Sequence, residues 1–90
     1  MFILITYDIS QTKRRTKVEK LLSSYGFRAN YSVFELNISR VKYNTMLVDL
    51  KNLAKKEDNI RVYIQTVQSI KKSFILNSEK SPFEFEDGYI

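Results

Sequence analysis

Asp8 is the first residue of the chain that could do chemistry. It ends the apolar run Met1-Phe2-Ile3-Leu4-Ile5-Thr6-Tyr7 and stands just ahead of a segment crowded with cations. A carboxylate that closes a strand before a helix sits where α/β folds often place reactive groups. The same position suits an Asp that only satisfies the free N–H groups of a helix start, so Asp8 alone points both ways. One carboxylate is also a poor site for Mg²⁺ or Mn²⁺, which want several oxygens around them. A symmetric dimer would change this, because an Asp near a two-fold axis is present twice and two carboxylates can hold one hard cation between them.

The cations that follow Asp8 divide by helical angle. Lys13, Lys17 and Lys20 fall on the solvent side of a helix, whereas Arg14 and Arg15 project within about 60° of its apolar stripe, near the strand end that carries Asp8. Cations in a first turn oppose the helix dipole by about 0.3 to 1 kcal/mol each, so an anionic partner such as a phosphate is expected there. Arg28, at a strand position, reads as a solvated edge residue, and Phe34, at an alternating position, reads as core. Tyr25, Tyr31, Tyr43 and Tyr63 could stack on bases, and core packing with the hydroxyl at the surface explains them equally well.

Other chemistries are excluded by what the chain lacks. It has no Cys and no His. That rules out a disulfide framework, thiolate or imidazole catalysis and Cys- or His-ligated metals, and leaves carboxylates, a hard cation and water for any hydrolysis. It also fits a reducing cytoplasm. Gly26 and Gly88 are the only glycines, so there is no glycine-rich phosphate loop. The apolar N-terminus has no basic leader and stops at Asp8, too short for a membrane span, and predicts a buried strand and no membrane partner. Of the net +5, residues 1–78 carry 14 basic and 6 acidic side chains, a net +8, and residues 79–90 carry a net −3. A basic body of this kind is an electrostatic footprint for nucleic acid.

The elements that must position these residues can be read from periodicity. Residues 2–7 predict a central strand covered on both faces. Val18, Leu21, Leu22 and Tyr25 predict a helix from Gln11 to Tyr25, capped by Ser10 or Thr12, with Gly26 suited to a left-handed C′ position. Phe27 to Ile38 alternates as one bent strand or two short ones. A second helix spans about Ser39 to Lys56, capped by Ser39, with Tyr43, Leu47, Leu50 and Ala54 along one stripe. Ile60 to Val67 alternates again, and Phe74-Ile75-Leu76 could add a short strand. Strands interleaved with two helices predict one sheet with both helices on one face, whose bare opposite face a second copy could cover. At 90 residues the core is small and association would help stability. Residues 1–78 thus form one domain, and 79–90 an acidic, aromatic tail. Its Pro82-Phe83-Glu84-Phe85-Glu86 alternates as a strand added to a partner's sheet would.

Several segments together resemble the CRISPR-associated protein two family, the small dimeric partner of the CRISPR integrase. They are Tyr7-Asp8-Ile9-Ser10 after an apolar strand, Lys13-Arg14-Arg15 with Lys17-Val18, Tyr25-Gly26-Phe27-Arg28, Tyr31-Ser32-Val33-Phe34-Glu35, and Asn59-Ile60-Arg61-Val62-Tyr63. They cover about residues 2–67. The resemblance implies an α+β, ferredoxin-like βαββαβ sandwich with one antiparallel sheet and an extra C-terminal strand, which would suit Phe74 to Leu76 or the tail. It also implies a homodimer packed through its sheets that bridges integrase dimers during spacer acquisition. It makes Asp8 the metal-linked catalytic residue and associates Arg15, Lys17, Arg28 and Phe34 with nuclease activity on RNA or double-stranded DNA. In this chain Gln11 and Thr12 stand where acidic residues are common, and Lys17 stands where an Arg is common, without its bidentate reach. A structural DNA-binding adapter without catalysis, or a related ferredoxin-like toxin ribonuclease, are the alternatives that the resemblance leaves open.

Overall fold

The strand that ends in Asp8 runs through the middle of the sheet because its apolar residues serve both faces. In the computed structural model, which describes residues 1–83, β1 spans Phe2–Asp8 and alternates strictly. Ile3, Ile5 and Tyr7 are buried on one face, and Phe2, Leu4 and Thr6 are half-buried on the other. The strand is thus covered on both faces, fully on one and only in part on the other, the sheet face that the helices leave open. Part of that second cover comes from Phe83, whose ring meets Phe2 edge-on at 5.8 Å.

Helix α1, Thr12–Ser23, follows and lays Val18 and Leu22 on the covered face. Its cap is Gln11, whose side chain accepts from the Arg14 N–H, and neither Ser10 nor Thr12. Gly26 is not a left-handed cap: the helix closes through Ser24 in ordinary helical geometry, and Gly26 opens β2, Gly26–Asn30. The glycine is required because a Cβ there would stand 2.4 Å from the Glu35 carbonyl oxygen and 2.8 Å from Leu36 Cγ. β3 covers Val33–Asn37, so the alternating stretch from Phe27 to Ile38 is two strands, joined at Tyr31-Ser32 with a register shift between Arg28 and Asn30.

Helix α2, Arg40–Leu53, starts at the expected Ser39 cap, and Met46 and Leu50 fill its buried stripe. β4, Asn59–Gln65, completes a four-stranded antiparallel sheet of order β2-β3-β1-β4. This is the ferredoxin-like βαββαβ arrangement, with both helices over the face that carries Ile3, Ile5, Phe34 and Leu36. Each such fully buried side chain contributes about 1.5 to 3 kcal/mol of transfer free energy, which offsets the entropy of ordering a small domain.

The expected strand at Phe74 to Leu76 is absent from the described residues. A short helix α3, Val67–Lys72, forms instead after β4, because Thr66 and Ser69 cap each other reciprocally. Phe74 and Leu76 are then exposed, with no neighbouring strand among the described residues. Most of the predicted tail strand, from Glu84 onward, lies outside the described residues. Its described beginning folds back, with the Phe83 N–H donating to Glu35 Oε1 at 3.0 Å.

Candidate active site

Three short stretches deliver the polar residues to one end of the sheet. The end of β1 brings Tyr7, Asp8 and Ile9; the first half of α1 brings Arg15 and Glu19; the β2–β3 turn brings Arg28, Tyr31 and Ser32. Together they line a cavity of about 610 Å³. Alternation along β1 buries Tyr7 and exposes Asp8, and Ile9 then sinks into the core and carries the chain toward α1.

Tyr7 organises the floor. Its ring lies on buried Phe34, with centroids 6.2 Å apart. Its hydroxyl is 2.6 Å from Glu19 Oε2 and 2.7 Å from the Tyr31 carbonyl oxygen, two acceptors for a single proton. Burial, reinforced by the hydrogen bond and charge of Glu19 and opposed by Arg28, pushes the phenol up to about 12, so it is a donor at neutral pH. Arg28 closes the network: its Nε and Nη2 donate to the Tyr31 carbonyl at 3.1 and 2.6 Å, and Nη2 also donates to Glu19 Oε2 at 2.8 Å. Arg15 donates from Nη1 to the Ile9 carbonyl at 3.0 Å and lines the same cavity as Asp8. The Asp8 side chain makes no hydrogen bond or ion pair among the described residues, and the residue is exposed.

The structure thus brings Asp8, Arg15 and Arg28 together, three of the six residues singled out in the sequence. Lys17 is exposed on α1 and does not line the cavity. Phe34 is corrected: it is 0% exposed and cannot touch a nucleic acid, and its part is to support the Tyr7 ring from beneath. Arg14 turns the other way. Its Nε and Nη2 grip both oxygens of Asp58 at 2.6 and 2.7 Å, Nη2 also reaches Glu57 at 3.2 Å, and this pins α1 to the loop before β4. The Asp58 side chain is only 1% exposed, and the hydrogen bond from Arg14 holds its carboxyl below the usual carboxylate range. Sequence reasoning missed Glu19 as a member of the site, and named Tyr31 only as one of four tyrosines that could stack on bases. Glu19 had a signal, four residues after Arg15 and flanking the Val18-Leu22 stripe.

Among the described residues no three His, Cys, Asp or Glu side chains gather as a metal centre. Glu19 lines the cavity but is taken up by Tyr7 and Arg28, which leaves one free carboxylate, Asp8. The residues of a single chain therefore do not fit Mg²⁺ or Mn²⁺ on their own, and two guanidinium groups in the same cavity suit a phosphate better than a second cation.

The comparisons with known proteins converge. The family described as "CRISPR associated protein Cas2" matches residues 1–73. The chain is similar to "CRISPR-associated endoribonuclease Cas2 1" of Chloroflexus aurantiacus, 37% identical over all of this chain and 99% of the relative. It superposes on the crystal structure of Streptococcus pyogenes Cas2 with a TM-score of 0.74 at 28% identity, covering 86% of this chain and 100% of that one. A chain of a partial Cas6-RT-Cas1–Cas2 complex gives the same TM-score at 27% identity, over 94% of this chain and 97% of that one. No helix of the described residues is long and apolar enough to cross a membrane.

Proposed function

The chain belongs to the CRISPR-associated protein Cas2 family, and on that premise we propose that it is a homodimeric, nucleic-acid-binding bridge for a CRISPR integrase in spacer acquisition that also carries a metal-dependent endonuclease site for RNA or DNA. Similarity to a chain of a Cas1-containing complex supports the bridging part, and similarity to relatives named as endoribonucleases supports the nuclease part. The observation that carries the catalytic reading is the cavity itself: Asp8, free of partners among the described residues, shares it with Arg15 and Arg28.

The cavity's cations match the charge that phosphodiester cleavage develops. Arg15 is anchored through one N–H to the Ile9 carbonyl, which leaves its other donors for a phosphate. Arg28 is locked through Nε and Nη2, which leaves Nη1 for a non-bridging oxygen. Groups fixed beforehand stabilise the growing negative charge without reorganising during the reaction. Tyr7 stays protonated at neutral pH and Glu19 is occupied by Tyr7 and Arg28, so Asp8 is the carboxylate left to orient an attacking water. Mg²⁺ or Mn²⁺, held between the Asp8 carboxylates of two copies, would supply Lewis acidity toward the phosphate and lower the pKa of water.

The test is cleavage of labelled single-stranded RNA and duplex DNA by the purified dimer, with Mg²⁺ or Mn²⁺ against EDTA, from neutral to mildly alkaline pH, for wild type and Asp8→Asn. Metal-dependent cutting that disappears in Asp8→Asn, with the dimer intact, is expected. Equal activity or equal inactivity of the two proteins, with salt-sensitive DNA binding retained, would leave only the adapter role.

A further inference from the structure

The rings of the chain are treated unequally. Tyr7 is buried, Tyr25 and Tyr43 pack against the core, and Tyr63 lies half out of the sheet at 42% exposure. Tyr31, at the tip of the β2–β3 turn, is 86% exposed, more than any other large apolar or aromatic side chain among the described residues. Its backbone is the opposite case. The Tyr31 carbonyl accepts from Tyr7 Oη and from both Nε and Nη2 of Arg28, and its N–H donates to Asn30 Oδ1 at 2.8 Å. The next residue is also tied down, because the Tyr7 N–H donates to the Ser32 carbonyl at 3.1 Å. A turn fastened to β1 and to Arg28 thus presents an unpacked aromatic ring.

That ring borders two hollows. Tyr31 and Arg28 both line the cavity of Asp8 and Arg15, and both line an adjoining hollow of about 310 Å³ that Asn30 completes. An exposed aromatic whose backbone is already ordered binds a flat partner at little cost in conformational entropy. Guanidinium groups beside it select a partner that alternates flat rings with anions. A nucleic acid whose bases are unpaired meets both conditions, whereas in a duplex the base faces are already stacked.

We infer that Tyr31 is a base-stacking platform that makes the site prefer single-stranded RNA or DNA, one unpaired base lying on its ring while the adjoining phosphate meets Arg28 and Arg15. This rests on the nucleic-acid reading of the cavity and adds a residue that would select unpaired bases there.

The experiment measures binding of the full chain to a labelled single-stranded RNA, a single-stranded DNA, an RNA carrying abasic positions, and duplex DNA. Tyr31→Ala should weaken the intact single strands about tenfold and leave the duplex and abasic probes unchanged. Tyr31→Phe should bind as wild type, because the ring and not the hydroxyl does the stacking. Tyr31→Ala binding every probe as wild type does, or weakening every probe equally through a lost dimer or fold, would overturn the inference. An Arg15→Ala, Arg28→Ala double variant separates the two readings. If it loses affinity for all probes while Tyr31→Ala loses none, the phosphate site stands and the platform falls. If it too binds like wild type, the cavity reading fails, and the platform with it.

Discussion

Two arginines one residue apart, Arg14 and Arg15, lead into two regions built from the same residue types and left in opposite states. Around Arg14 the acids outnumber the base: Asp58 and Glu57 take its guanidinium, and Asp58 also accepts from the Lys55 N–H at 2.8 Å. Around Arg15 the balance is even, with Arg15 and Arg28 against Asp8 and Glu19, but one acid is spent inward on Tyr7 and the other is free. The first region is satisfied by its own chain and holds α1 to the loop before β4. The second keeps unspent donors and one unspent acceptor facing a cavity. A cation's role is set by what remains after its own fold has used it, and residue type and helical angle do not report that remainder.

The largest effect that would break this comparison is catalytic. Arg28→Ala or Arg15→Ala should lower the rate of nucleic-acid cleavage about 100-fold, the cost of removing one preorganised donor from a developing anion. Arg28→Lys should recover only part of it, since an ammonium keeps the charge and loses the fork that clasps Tyr31 and Glu19 together. Arg14→Ala should leave the rate per folded molecule within about twofold, because nothing in the cavity depends on its guanidinium. Equal losses from Arg14→Ala and Arg15→Ala would make the two regions one.

The next effect is on stability and has the opposite ranking. Asp58→Asn and Arg14→Ala should each lower Tm by several degrees, and the double variant should be little worse than either single one, because both remove the same contact. The pH dependence follows from the lowered carboxyl of Asp58. Its stabilisation is fully present above the unfolded-state value of about 3.9 and is lost as pH falls through the lower folded value. Thermal melts from neutral to acid should therefore be flatter for Asp58→Asn than for wild type, and parallel curves would show that the clamp contributes nothing.

How far each region could be read in the sequence follows from the distance between its parts. Asp8, the two helices and the alternating strands are local patterns, and the Tyr25-to-Glu35 run added the split of Phe27 to Ile38 into β2 and β3. Arg14 and Asp58 are 44 residues apart, and no spacing rule joins a first-turn arginine to an acid in a later loop, so Arg14 read as a phosphate ligand. Phe34 was core by alternation, and burial under Tyr7 returns it there. Gly26 was assigned a backbone conformation when its reason is the nearness of the Glu35 carbonyl, which depends on strand pairing. Phe74 to Leu76 had a strand's composition, but a strand needs a neighbour, and the Thr66–Ser69 cap turned the preceding residues into α3.

The smallest effect concerns Tyr7, which gives its one proton to the open region. Tyr7→Phe keeps the ring on Phe34 and removes the donor shared by Glu19 and the Tyr31 carbonyl. A phenol raised from 10.0 to about 12 favours the folded state in its neutral form, so this contribution is complete below about pH 10 and disappears as pH rises toward 12. Wild type should accordingly lose stability across that interval more steeply than Tyr7→Phe. At neutral pH the variant should melt slightly lower and its Tyr31 turn should exchange amide hydrogens faster, while the Arg14–Asp58 side is unchanged. If the alkaline limbs of the two melting curves coincide, the Tyr7 proton is not held by the fold. The turn that carries Tyr31 would then be fastened by Arg28 and by the backbone bond from the Tyr7 N–H to the Ser32 carbonyl.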